Sequence, residues 1–471
     1  MDRDFFNSKT VLIMGLGRFG GGVDAAEFAY KAGAKVIVTD LASAQKLCDS
    51  IDKLKQFQDI EFHLGSHDVR DFEQADVVVA NPAVPPDNKY LEIARCHNKL
   101  VTSQINIFFQ LCPATIIGIT GANGKSTTSA LTAHLLKNTS IEHRASSIEN
   151  VWLSGNIGNE PLLTIVDKIS PGDLVVLEIS SFQLEQLAQI QTAPKVSLLT
   201  NLMPNHLDRY GTFANYCAAK ENIFKFQKID LSSPAVSIFN ADDKISAEWF
   251  EKYKKDIGRT CIKFSADDVG EKIRKAFPLP GRANLSNLAA AIAIAKQFGL
   301  DDDSIINCLS AFKTLPHRLE FIGEIRGVRW FNDSKATTPE SAIVALEAFE
   351  QPRVIIAGGY DKHLPFEQLG EKIAINAKAA VLIGQTAPKI ATAIRNSQMS
   401  LRGATRRSNL HKRATRIEIV NSLAEAVKLA DCLAVKGDVV LLSPACASYD
   451  MFEHFQQRGD EFRKLVRQLK T

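Results

Sequence analysis

From Ile116 to Thr128 the chain reads Ile-Ile-Gly-Ile-Thr-Gly-Ala-Asn-Gly-Lys-Ser-Thr-Thr. A β-branched apolar run of this kind makes a buried parallel strand, the glycines allow a sharp turn, and the residues after Lys125 favour a helix. That order demands an α/β fold. Consecutive N–H groups around Gly121, Asn123 and Gly124 can point into one concavity, and the helix opening near Lys125 adds its positive end, so the turn suits a polyphosphate. Lys125 would reach the outer phosphates and Ser126 would ligate magnesium. The commoner consensus has glycine where this chain has Ile119, so the loop is a variant, Thr-Gly-x-Asn-Gly-Lys-Ser-Thr.

A chain of 471 residues exceeds one ordinary core. Three domains are expected, over 1–103, 104–314 and 315–471. The 45% hydrophobic and 23% charged content is that of a globular protein. No apolar run approaches the ~20 residues that span a bilayer, so membrane insertion is not expected. The start, Met1 to Phe6, carries acids and leads into a strand, unlike a signal peptide. Eight cysteines are scattered without a C-x-x-C pair, which fits reduced thiols in a cytoplasmic setting. Net charge, 56 − 53 = +3, argues neither for nor against an anionic partner. Arg402 to Arg416 holds six basic residues and no acid. Without interleaved aromatics or an amphipathic period it reads as a solvated loop, so no nucleic-acid partner is expected.

Residues 1–103 open with the strand Thr10–Met14, the turn Gly15-Leu-Gly-Arg-Phe-Gly20, a helix to Ala32 and the strand Lys35–Asp40. A G-x-G-x-x-G turn with an acid ending the next strand marks a nucleotide fold. Alone it leaves open NAD or any other diphosphate, although no residue of this domain offers hydride chemistry. Val77–Ala80 then breaks into the rigid loop Asn81–Pro86, where open α/β sheets bind ligands. In the central domain, Asp173–Glu178 and Lys195–Thr200 read as buried strands with polar tips. Parallel strands end together, so Lys125, Glu178 and His206 should converge as a phosphate and metal site. Glu178 could instead cap the next helix, and His206 could be structural. Asn284 and Asn287 open an Ala-rich helix, Leu288 to Phe298, where they could be simple caps. The third domain repeats the pattern, with strands near Val328–Asp333, Val354–Gly359, Ala379–Ile383 and Val439–Ser443. Their tips could line an anionic-ligand pocket through Lys335, Lys362 and Ser448.

Taken together, Thr120–Thr127, Gly155–Gly158, Glu178–Leu184, Asn205–Arg209, Pro316–Glu320, Asn332–Thr337 and Leu442–Ser448 resemble, in order and spacing, the motifs of the bacterial Mur ligases. The resemblance covers essentially the whole chain. It implies a three-domain α/β protein: an N-terminal Rossmann-like domain, a central P-loop ATPase-like domain with a mainly parallel sheet, and a C-terminal Rossmann-like domain. The Asp-Ser-Lys-Ala-Thr and Ser-Pro-Ala-Cys-Ala-Ser stretches resemble those of the member that adds D-glutamate to UDP-N-acetylmuramoyl-L-alanine. That reaction uses ATP to phosphorylate the terminal carboxylate, and the amine of D-glutamate then attacks the acyl phosphate.

The resemblance also assigns residues. ATP would lie on Gly121, Asn123, Gly124, Lys125, Ser126 and Thr127, with Asn287, Arg318 and Asp333 at adenine and ribose. Ser126 and Glu178 would hold one Mg2+, and His206 with a carbamylated Lys220 a second. Sequence alone leaves Lys220 open as an exposed helical lysine. The UDP substrate would meet Gly17, Arg18, Phe19, Asp40, Asn81, Asn156 and His206. D-glutamate would meet Lys335, Thr337, Lys362, Ser448 and Phe455. The resemblance further implies a cytoplasmic monomer whose third domain closes onto the second. An amide ligase of the same superfamily with another amino acid is the alternative. Asn205 stands where the family often has Asp, Phe19 where a small residue is common, and Thr338 where Asn is common. The 402–416 segment looks like a local insertion.

Overall fold

The computed structural model describes residues 2–18, 20–138, 148–157, 161–405 and 414–469. Two compact units account for the chain: residues 1–273 with 286–309, and residues 274–285 with 310–471.

The first unit contains two sheets. β1 (Thr10–Met14), β2 (Lys35–Asp40), β3 (Glu61–Leu64), β4 (Val77–Ala80) and β5 (Leu100–Thr102) form a parallel sheet in the order 3-2-1-4-5. β4 is buried at every residue, as its unbroken Val-Val-Val-Ala run requires of a strand covered on both faces. The second sheet comprises β6 (Thr115–Thr120), β7 (Val151–Gly155), β8 (Leu174–Glu178), β9 (Val196–Leu199), β10 (Ala235–Asn240) and β11 (Arg259–Phe264). It is parallel throughout, in the order 11-10-9-6-8-7. Strand order reverses around β6, so the carboxyl ends of β8, β6 and β9 frame the crevice where open α/β sheets take ligands. Buried Asp24, on the helix Gly21–Lys31 after β1, joins the sheets by accepting the Leu163 and Thr164 amides at 2.8 and 3.0 Å.

The second unit holds β12 (Glu320–Ile325), β13 (Val328–Asn332), β14 (Arg353–Gly358), β15 (Ala377–Ile383), β16 (Arg416–Ile419) and β17 (Val439–Leu442). Their order is 12-13-17-14-15-16, with β12 antiparallel to β13 and every other pairing parallel. β17 returns between β13 and β14, which places the loops after these three strands side by side. All-parallel and mostly parallel sheets interleaved with helices bear out the expected α/β class.

Two local expectations are corrected, and one strand is added. The helix predicted from Leu288 begins at Arg282, so Asn284 and Asn287 lie inside it and are not caps. Of the segment expected as a basic loop, 402–405 complete the helix Ala387–Thr405 and Arg416 starts β16; 406–413 lie outside the described residues. The edge strand β12 escapes a sequence reading because Gly323 interrupts its alternation, and pairing with β13 shifts register between Phe321 and Gly323.

Candidate active site

The loop after β6 is braced before any ligand arrives. Gly124 has φ +82°, and a Cβ placed there would fall 2.2 Å from Asn287 Oδ1, so both the turn and the close approach require glycine. The tip of β9 holds the loop from the other side. Asn201 Oδ1 accepts the Asn123 amide at 3.0 Å, Asn201 Nδ2 donates to the Asn123 carbonyl at 3.0 Å, and Thr200 Oγ1 donates to the same carbonyl at 2.6 Å. Lys125 Nζ donates to the Gly121 and Ala122 carbonyls at 2.9 and 2.8 Å, which keeps the ammonium over the loop. Ser126 is buried at the start of the helix Lys125–Asn138, with Thr127 beside it.

Glu178 ends β8 buried, and its Oε1 accepts Asn156 Nδ2 at 3.1 Å. It does not cap the following helix. Ser180 does that, in a capping box with Gln183. His206 follows β9 at φ +51°, its ring 5.0 Å from Phe182. Partial loss of hydration, with the nearby Lys220 and Lys125, lowers its pKa, so the imidazole is neutral at pH 7 and able to ligate. Lys220, on the helix Phe213–Lys225, is 1% exposed and not the solvated lysine that its helical pattern allows. Its Nζ donates to Thr120 Oγ1 at 3.2 Å, and Thr120 Oγ1 donates to the Ile179 carbonyl at 2.8 Å. Burial, reinforced by Lys125 and opposed by Glu178, pushes the Lys220 ammonium well below the usual lysine range. His206 is thus near enough to Lys220 and Lys125, and Lys220 near enough to Lys125 and Glu178, for their charges to act on one another.

In the first sheet, the Gly17 amide donates to Asp40 Oδ2 at 3.1 Å and Asn81 Nδ2 to the Gly15 carbonyl at 3.2 Å, so Gly17, Asp40 and Asn81 meet at the tips of β1, β2 and β4. Arg18 is exposed beside them, and Phe19 lies outside the described residues. Arg209 donates to the Ala83 carbonyl and to Glu185 Oε2, both at 3.0 Å, tying the 81–86 loop to the segment that carries His206.

In the second unit, buried Asp333 directly follows β13 and accepts the Leu319 amide at 3.1 Å and Ser443 Oγ at 2.9 Å. Burial pushes its carboxyl up to about 7, against these hydrogen bonds and the neighbouring Arg318. Lys335 Nζ lies 5.6 Å from the centre of the Phe455 ring, and the Thr337 amide donates to the Lys335 carbonyl at 2.9 Å. Thr338 caps the helix Pro339–Glu347, a role a hydroxyl fills as well as an Asn side chain. Ser448 Oγ is buried and lacks a hydrogen-bond partner among the described residues. Lys362 is exposed and makes no hydrogen bond or ion pair among them. Sequence reasoning passed over Asn201 and Arg458. Asn201 had a visible signal, an amide at a strand tip; Arg458 looked like any helix-surface arginine.

Three family models match: the Mur ligase MurD-like N-terminal domain over residues 9–103, the Mur ligase middle domain over 119–277, and the Mur ligase glutamate ligase domain over 317–446. A Roseiflexus protein named UDP-N-acetylmuramoylalanine–D-glutamate ligase is 37% identical, spanning 97% of this chain and 98% of its own. A protein of the same name from Clostridium botulinum is 35% identical over 99% of this chain and 98% of its own. Among solved structures, UDP-N-acetylmuramate-alanine ligase MurC from Thermotoga maritima has a TM-score of 0.56 at 18% identity, covering 98% of this chain and 99% of that one. The structural likeness speaks for the fold alone.

Proposed function

The chain belongs to the Mur ligase family, and from that premise we propose that it joins D-glutamate to UDP-N-acetylmuramoyl-L-alanine at the expense of ATP. The observation that carries this reading is the convergence of Lys125, Glu178, His206 and Lys220 around a braced phosphate loop at the point where strand order reverses. A carboxylate is a poor acyl donor because its leaving group would be oxide. Phosphorylation supplies a better one, but it brings two anions together, and their repulsion must be offset.

Lys125 and the N–H groups of Gly121 and Gly124 offset it at the triphosphate, with Thr127 alongside and Asn123, its own amide held by Asn201, shaping the loop. By the family resemblance the adenosine is assigned to Asn287, Arg318 and Asp333. The donors present fit magnesium: the Ser126 hydroxyl and buried Glu178 carboxylate are hard oxygens, and neutral His206 is an available nitrogen. Ser126 and Glu178 would hold one ion, His206 and a modified Lys220 another; bound there, the ions neutralise phosphate charge. Lys220 as an amine cannot ligate a cation through oxygen. Its lowered pKa favours the neutral form, whose nitrogen can attack carbon dioxide, forming an N–C bond and releasing one proton, to give a carbamate with anionic oxygens. The UDP substrate is assigned to Gly17, Arg18, Phe19, Asp40, Asn81, Asn156 and His206. D-glutamate is assigned to Lys335, Thr337, Lys362, Ser448 and Phe455, where the unpartnered Ser448 hydroxyl supports a polar ligand. Residues 1–103, 104–314 and 315–471 thus divide as UDP-sugar, ATP and amino-acid domains of a cytoplasmic monomer.

Phosphate release with ATP, UDP-N-acetylmuramoyl-L-alanine and each of D-glutamate, L-glutamate, D-aspartate, L-alanine and meso-diaminopimelate tests the reading. D-glutamate should dominate. Comparable rates with L-alanine or diaminopimelate would overturn the substrate and leave the ligase chemistry standing.

A further inference from the structure

Arg458, on the helix Phe455–Gln468, is 1% exposed. Its Nε donates to Ser334 Oγ at 3.0 Å, one terminal nitrogen to the carbonyls of Ser334 at 2.9 Å and Cys446 at 3.0 Å, and the other to the Ala447 carbonyl at 3.3 Å. Ser334 belongs to the loop after β13, and Cys446 and Ala447 to the loop after β17. The loop after β14 joins them. Tyr360 donates its amide to the Ala447 carbonyl at 2.9 Å, and a Cβ placed on Gly359, φ +150°, would fall 3.2 Å from Arg458 Nη1. One guanidinium therefore sits at the meeting point of the three loops that carry Lys335 and Thr337, Lys362, and Ser448.

Among the described residues the charge of this group has no counter-ion in contact with it. Among the described residues no carboxylate lies within ion-pair distance of it. Asp450 acts on it only from further off and accepts the Gln385 amide at 3.1 Å, while burial pushes the Cys446 thiol up to about 11, so it is neutral. Arg458 itself, pushed down to about 10 by burial, stays protonated at pH 7. Carbonyl oxygens satisfy its donors without cancelling its charge, and a buried charge left in that state is costly. An anion bound over these three loops would offset that charge.

We propose that Arg458 is the positioning residue of the amino-acid pocket: its guanidinium locks the three loops together and supplies the buried positive charge that favours an amino acid with two carboxylates. The inference rests on the D-glutamate reading above. Arg458 does not touch the substrate; it acts through Ser334, Cys446 and Ala447 and through its field.

The test compares D-glutamate with D-glutamine, which keeps the shape and loses the side-chain charge, as kcat/KM or as competitive inhibition of the D-glutamate reaction. Arg458→Met should raise the KM for D-glutamate about tenfold or more and shrink the D-glutamate/D-glutamine preference by a similar factor, with the KM for ATP within about twofold. Arg458→Lys keeps the charge and should hold the preference within about threefold of wild type while still raising KM. Ser334→Ala keeps the charge and loses the acceptor for Arg458 Nε together with the Ser334 Oγ donation to the Phe455 carbonyl at 2.7 Å, so it should loosen binding of both amino acids alike. A folded Arg458→Met variant with the wild-type preference overturns the inference, as does an Arg458→Lys or Ser334→Ala variant that loses it. If Arg458→Met fails to fold, Arg458→Lys decides. Failure of the D-glutamate reading shows in the wild type before any variant is made, whereas failure of the inference shows only in the ratio of variant to wild type.

Discussion

Replacing Lys220 with methionine should strengthen the fold and abolish turnover, and the gain in stability should depend on pH in a defined way. The side chain is 1% exposed, and its nitrogen makes a single hydrogen bond, to Thr120 Oγ1 at 3.2 Å. Burial and Lys125 hold its pKa well below the ordinary value, so over a wide range the folded chain carries a neutral amine where the unfolded chain carries an ammonium. In that range the unfolded state binds one more proton, and wild-type stability rises with pH by about 1.4 kcal/mol per pH unit from this residue alone. The penalty is fully present below the folded pKa and gone above the unfolded pKa of about 10.4. Lys220→Met has no such dependence, its volume is similar, and Thr120 Oγ1 keeps its bond to the Ile179 carbonyl. Other titrations cancel in the difference between the proteins. The variant's advantage should therefore shrink, by up to about 1.4 kcal/mol per pH unit, as pH rises from the folded pKa of Lys220 toward the unfolded one. Urea denaturation at pH 8, 9 and 10, in buffer free of metal and carbon dioxide, with hydrogen exchange on β6 peptides, measures this. A difference that stays flat across that range would mean Lys220 keeps its proton in the fold, and the neutral amine that carbamylation needs would be lost from the argument.

Lys125→Ala should lower kcat about 100-fold or more, because a preorganised positive charge at the transferring phosphate is removed; near-normal turnover in rapid-quench assays would take the loop out of the mechanism. Gly124→Ala puts a Cβ 2.2 Å from Asn287 Oδ1 at φ +82°, so ATP binding, read by nucleotide titration, should weaken by at least about tenfold, and unchanged affinity would refute the close approach. Asp333→Asn should become more stable relative to wild type as pH rises. The folded carboxyl titrates at about 7 and the unfolded one near 3.8, so the folded state holds the extra proton between those values and wild-type stability falls across that window. The variant's advantage should grow on the order of 1–4 kcal/mol from pH 4 to pH 7 and then level off, and a constant melting difference would contradict it.

Contiguous pattern made much of this protein legible from its residues. β1, β2 and β4 stand where their β-branched runs end in glycine, acid or Asn-Pro, because a strand covered on both faces must be apolar along its length and stop where polar residues begin. The phosphate loop was legible for the same reason: its strand, glycines, Lys125 and helix are neighbours in the chain. Parallel strands end together, which is why Lys125, Glu178 and His206 stand at or just beyond the carboxyl ends of the neighbouring strands β6, β8 and β9.

What the residues could not declare is burial and partnership between distant segments. Lys220 sits in a helical stretch that would suit solvent, and only packing of that helix over β6 turns it into a desolvated amine against Thr120. Asn201 braces Asn123 across 78 positions, and Arg458 reaches Ser334 across 124. The strand order that brings such pairs together depends on which side of β6 or β14 each crossover returns, and no local periodicity encodes that choice. Sequence by itself determined the fold class and the phosphate-loop pattern; the tertiary structure alone decided which lysine and which arginine would be buried, because desolvation is set by how sheets and helices close over a side chain rather than by its neighbours in the chain.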